Sequence, residues 1–135
     1  MSGAAARLQA AISARLAGVA GFSGVYDGPP LQAAFPYAVV EAGPESDWGH
    51  KSGPGVEARL GVTIRDAGER PLRLHALIDS ARAALEADLD VEGWQLVALR
   101  WERTRCIREG RPAPGGVEAQ WVGAIDYRAR LLRED

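Results

Sequence analysis

One segment constrains this chain more than any other. Val117, Ala119, Trp121, Gly123, Ile125, Tyr127, Ala129 and Leu131 fall on one parity, and Glu118, Gln120, Asp126, Arg128 and Arg130 fall on the other. A period of two sustained over that length predicts an extended strand with one apolar and one wet face, over residues 117–132. Such a strand is not stable alone. Its edges need neighbours and its apolar face needs a cover. The rest of the chain must therefore supply more strands and a layer to lie on them.

Three further segments read as strands. In residues 56–66, Ala58, Leu60, Val62 and Ile64 alternate with Glu57, Arg59, Gly61, Thr63 and Arg65. In residues 94–107, Val97, Leu99 and Trp101 share one face, and Arg100 and Glu102 the other. Residues 37–42 form the first strand. It follows Asp27-Gly28-Pro29-Pro30, which has turn chemistry, and is entered through Phe35-Pro36-Tyr37. Proline at the start of a strand sacrifices no ladder hydrogen bond. Residues 43–55, GPESDWGHKSGPG, are too long for a tight turn and too rich in Gly and Pro for regular structure, so a long loop is expected. Residues 110–116 are a turn-rich connection.

The cover comes from two helical stretches. In residues 4–16, Leu8, Ile12 and Leu16, with Ala5, share a face; Ser2 can cap the helix, and Gly18 and Gly21 end it. Residues 71–89 carry the stronger stripe, Leu74, Leu77, Ile78, Ala81, Leu85 and Leu89, with Pro71 suited to the first turn. Asp79, Arg82, Glu86 and Asp88 lie largely outside that stripe. The order is α-β-β-α-β-β. The expected fold class is α+β, a four-stranded, mainly antiparallel sheet with both helices on one face, in one domain over residues 1–135. The opposite face, rich in Arg and Glu, is left for water or a partner.

Composition narrows the function. A net charge of −2 gives no electrostatic case for a dedicated nucleic-acid binder. Cys106 is the only cysteine, so neither an intrachain disulfide nor a cysteine-based zinc site can form, and a reducing compartment is the plain reading. Arg7 and Arg15 interrupt the Ala-rich start, and no window approaches the roughly 20 apolar residues of a membrane span. The chain is expected in the cytoplasm when made, with no membrane partner.

No constellation points to catalysis. His50, with Asp47 and Glu45, could form a metal or acid–base cluster, but these residues sit on a loop, and a solvated loop explains them as well. Ser46, Ser52 and Ser80 lack a nucleophile-elbow context. Residues 18–24, GVAGFSG, have the wrong spacing for a phosphate cradle. Cys106, near a strand end, reads as a small core or edge residue. No catalytic residue, metal or cofactor is expected. Trp48 either anchors an interface or folds back over the sheet edge. Arg100, Arg103, Arg105, Arg108 and Arg111 form a basic run with Glu102 and Glu109 interspersed. Simple alternation splits Arg100 from Arg103 and Arg105. The run is either a solvated strand end or a surface that meets a neighbouring subunit's carboxylates or a passing phosphate backbone.

Taken in order, these segments resemble a phage family, the DUF3168 proteins. The resemblance rests on the first helix with its Gly-rich turn, VYDGPP and FPYAVV, SDWGHKSGPG, EARLGVTIRD, IDSARAALE, WQLVALRWE and GGVEAQWVGAIDYRARL. The family comprises tail-completion or tail-terminator proteins of siphophages, prophages and gene transfer agents. The resemblance implies a non-enzymatic virion protein that caps the head-proximal end of the tail tube as a ring, by analogy six-fold. Such a ring ends tube polymerisation and offers a surface for head joining. The implied partners are further copies of the chain, the tail tube protein and a head-completion or adaptor protein. DNA would pass through the lumen without specific binding. In that frame Asp47, Trp48, His50 and Lys51 are expected at a subunit or tube interface. The five arginines are expected at a subunit joint or the lumen. The alternatives are a head–tail adaptor or neck protein, and beyond those a small ligand-binding domain or enzyme.

Overall fold

A computed structural model of the chain describes residues 3–49, 53–109 and 119–134. The alternating C-terminal segment forms β5 (Gln120–Arg133), which lies inside the sheet between β3 (Gly55–Ala67) and β4 (Trp94–Glu109). Two more strands, β1 (Gly24–Tyr26) and β2 (Tyr37–Asp47), complete a sheet ordered β1-β2-β3-β5-β4. The α+β class stands, but the sheet has five strands, where four were expected. The fifth, β1, pairs in parallel with β2 from Gly24↔Tyr37 to Tyr26↔Val39. Three residues are too few to carry a period of two, so nothing in the sequence marks them. All other neighbours are antiparallel.

Both helices, α1 (Ala4–Ala17) and α2 (Leu72–Glu86), pack on one face. Leu8, Ile12 and Leu16 of α1 and Leu74, Leu77, Ile78, Ala81 and Leu85 of α2 are buried against Ala38 and Val40 of β2 and Leu60, Val62 and Ile64 of β3. From β5 they meet Ile125, Tyr127, Ala129 and Leu131. Ala4, not Ala5, completes the α1 stripe. The contact between α2 and β5 is close at Gly123, where a Cβ would lie 2.7 Å from Ile78 Cδ1 and 3.2 Å from Leu74 Cδ1. Ser2, expected to cap α1, lies outside the described residues. Pro71 takes the N-cap of α2, and the helix stops at Glu86 because Ala87 is extended. Arg15 of α1 closes that end: Nη1 donates to the Ala84 carbonyl at 2.8 Å and Nη2 to the Asp88 carbonyl at 2.7 Å. Carbonyls in the last helical turn have no partner within the helix, and a cation there suits the helix dipole.

Much of the loop expected over residues 43–55 is strand. Pairing of β2 with β3 continues to Asp47↔Val56, with a bulge between Gly43 and Glu45. Pro44 sits in that bulge, beyond the stretch that β1 covers, so its missing N–H leaves no ladder bond unmade. Its composition hid the strand. The hairpin closes where the Trp48 N–H donates to the Gly55 carbonyl at 2.9 Å. A Cβ on Gly55 would lie 2.6 Å from the Trp48 carbonyl oxygen, so the close backbone approach requires glycine.

The edge strand β4 departs most from the expected alternation. It has register shifts between Leu96 and Ala98 and between Trp101 and Arg103. Each extra residue reverses the parity that follows. Leu96, Leu99 and Trp101 therefore turn toward the helix layer, yet Trp101 stays 43% exposed, and Val97, which alternation placed on the same face as Leu99 and Trp101, falls in a bulge and is 46% exposed. Leu60, Val62, Leu77, Ile78, Leu85 and Ile125 are buried as expected, and Trp121 is half-buried.

Candidate assembly surface

The helix-free face of the sheet carries a cross-strand lattice of charge. Arg59 pairs with Glu102, Arg65 with Glu109, and Arg103 Nε with Asp126 Oδ2 at 2.7 Å. Arg128 Nη2 reaches Glu102 at 3.1 Å, and Arg130 Nε donates to Glu57 Oε2 at 3.0 Å. Arg128 also approaches Glu57 at 3.7 Å. Glu57 is thus surrounded by guanidinium groups. The hydrogen bond from Arg130 comes first, with the charges of Arg128, Arg130 and Arg59 behind it; together they hold its carboxyl below the ordinary value of 4.5. Exposed pairs of this kind individually add little stability. Collectively they cancel most of the face's charge within the subunit.

The basic run is reorganised by the β4 bulges. Arg100 stands opposite Arg128, Arg103 opposite Asp126, and Arg105 opposite Ala124. Those three β5 residues share a parity, so Arg100, Arg103 and Arg105 lie on one face rather than split across two. Arg108, opposite Trp121, lies on the other. Arg103 is taken by Asp126. Among the described residues Arg100, Arg105 and Arg108 are exposed and have no carboxylate partner. Arg111 lies outside the described residues.

Asp47 ends β2, and its Oδ1 accepts the Gly49 N–H at 3.1 Å. Trp48 is half-buried, and the Arg130 guanidinium lies over its ring at 5.4 Å. The tryptophan therefore folds back toward the charged face while keeping part of its ring in solvent. His50 and Lys51 lie outside the described residues. His75 is exposed on α2. Cys106 is an exposed free thiol on β4, and burial of its sulfur raises its pKa, which disfavours the thiolate. Among the described residues no three His, Cys, Asp or Glu side chains come close enough to hold a metal ion.

The sequence missed two features. One is Leu31, fully exposed in the segment that leaves β1. Its signal was an apolar side chain beside Pro29-Pro30 with no periodic partner. The other is a groove of about 1070 Å³ between β4 and the end of α2, with Val97, Leu99, Trp101 and Leu89 on its walls. Arg82 lies over the Trp101 ring at 3.8 Å and beside Tyr127, whose hydroxyl pKa burial pushes up while Arg82 opposes the shift. No helix among the described residues is long and apolar enough to cross a membrane.

A small sheet with one covered face, an internally neutralised opposite face and two unlike exposed edges defines a structural α+β module. Residues 4–131 match the family described as Tail completion protein gp17. The chain belongs to the Tail completion protein gp17 family, and so to the structural proteins of virion tails. Among solved structures it is similar to a chain of the one titled "Virion of native gene transfer agent (GTA) particle". The TM-score is 0.70 and the identity 24%, over 98% of this chain and 99% of that one. At that identity the likeness is one of fold. The search of curated proteins found no match.

Proposed function

We propose that this chain caps the head-proximal end of a phage-like tail tube as a ring, probing no chemistry of its own but ending tube polymerisation and presenting a surface for head joining. The observation that carries this reading is the family match across residues 4–131. The fold agrees with it. The hairpin tip with Asp47 and Trp48 projects from one end of the strands, where it can meet the tube or a neighbouring subunit. His50 and Lys51 follow Trp48 closely in the sequence. Ring closure joins unlike patches head to tail, and the two edges of this sheet are unlike. The ring has six copies by analogy with related terminators, and its lumen passes DNA without gripping it, which suits a net charge of −2. Tube protein on one side and a head-completion or adaptor protein on the other are its partners.

Electron microscopy of particles from a producing strain lacking this gene tests the reading. Overlong or unjoined tails beside DNA-filled heads are the expected result. Tails of normal length left unjoined would favour a head–tail adaptor instead. Normally joined particles would contradict both.

A further inference from the structure

Resting on that ring reading, we infer that successive copies join edge to edge. The β1–β2 edge of one subunit docks on the β4 edge of the next, with Leu31 seated in the groove beside Trp101 and Glu41 set between Arg100 and Arg105.

Strand direction makes the join possible. The chain of antiparallel pairings from β2 through β3 and β5 to β4 leaves β2 and β4 running in opposite directions. A copy related by rotation about an axis parallel to the strands therefore brings β4 against the next β2 in antiparallel sense, with the helix layers on the same side. Such a rotation also keeps each residue at its own height along the strands. The pairing register sets those heights. Glu41 is level with Gly61, Asp126 and Arg103. Arg100 and Arg105 stand to either side of that level on the same face, exposed and unpaired among the described residues. Glu41 is exposed on that face too, and it likewise has no ion pair among the described residues. The carboxylate on one edge is level with the gap between two guanidinium groups on the other.

The helix side offers a second, apolar match. Gln9 Nε2 donates to the Asp27 carbonyl at 2.9 Å and to the Val40 carbonyl at 2.8 Å, so the Leu31 segment departs from beside Val40. Trp101 is level with Ala42 through Tyr127 and Leu60. The Leu31 segment leaves β1, the outermost strand on that edge, and the groove runs along β4 on the opposite edge. A fully exposed leucine next to two prolines is stiffly presented and loses little freedom on docking. Covering Leu31, Val97 and Trp101 removes three of the large apolar exposures on the two edges. The bulge at Pro44 and the two bulges of β4 interrupt any continuous backbone ladder, so side chains carry the contact.

A charge exchange tests this in the gene-deletion strain. R100E/R105E and E41R are each expected to cut joined particles by about tenfold or more, since like charges would face each other at every joint. The triple variant R100E/R105E/E41R restores the attraction and is expected to recover most of the yield. L31D is expected to lower yield while leaving the purified chain's thermal unfolding unchanged, because Leu31 touches nothing within the subunit. Harmless single-edge variants, or a correctly folded triple variant no better than either parent, would overturn the inference and leave the tail-completion reading standing. A gene deletion that leaves particles normal would overturn both.

Discussion

Glu57 shows how the charged face behaves as a residue-level device. Its folded-state pKa lies below the ordinary 4.5, chiefly through the Arg130 hydrogen bond. The unfolded chain thus takes up a proton at a pH where the native state does not, and stability rises with pH in that range. The contribution is whole above about 4.5 and is lost as pH falls through the lower folded value. In a pH series of thermal unfolding, E57Q is expected to lose less stability than the unsubstituted chain on acidification below that point. Parallel curves would contradict this. Trp48 belongs to the same scale. With Arg130 over its ring and the side chain half-buried, W48A is expected to cost about 1–2 kcal/mol of folding stability. It is nevertheless expected to reduce joined particles; a purified variant that unfolds would mean that Trp48 acts by covering the sheet. The sequence left both roles open, since what Trp48 touches depends on a residue in a distant strand.

The elements were legible in proportion to their periodicity. β3 and β5 keep a strict alternation because both of their edges are paired, and their core residues followed directly. α1 and α2 were marked by stripes that the sheet now buries. What failed was aperiodic. β1 is too short to have a period, β2 continues through a proline that only an edge tolerates, and β4 twice changes parity at bulges. Those bulges decide which arginines share a face, so alternation alone misplaced Arg100. The join between helices was also invisible, because Arg15 bonds carbonyls that any sequence possesses. R15A removes both bonds at the end of α2 and is expected to cost about 1–2 kcal/mol, with faster amide exchange around residues 84–88. Unchanged exchange there would show that α2 ends without help from α1.

For the whole molecule, the useful contrast is between what is satisfied and what is not. The core is closed, and the charged face is largely neutralised within one subunit. Each sheet edge carries unmatched groups, Leu31 and Glu41 on one side and Arg100, Arg105 and the Trp101 groove on the other. That pattern suits a subunit built to be completed by copies of itself, and the family places the chain in a virion tail. Sequence order was enough to suggest the family because the resemblance rests on the order and spacing of segments along nearly the whole chain. The sites were not, because they depend on register. The most direct measurement is electron cryomicroscopy of the head–tail joint in particles that carry this chain. The account predicts density for it as a closed ring at the head-proximal end of the tube, with the β1–β2 edge of each subunit against β4 of the next. Density for the chain elsewhere in the particle, or none at that joint, would contradict it.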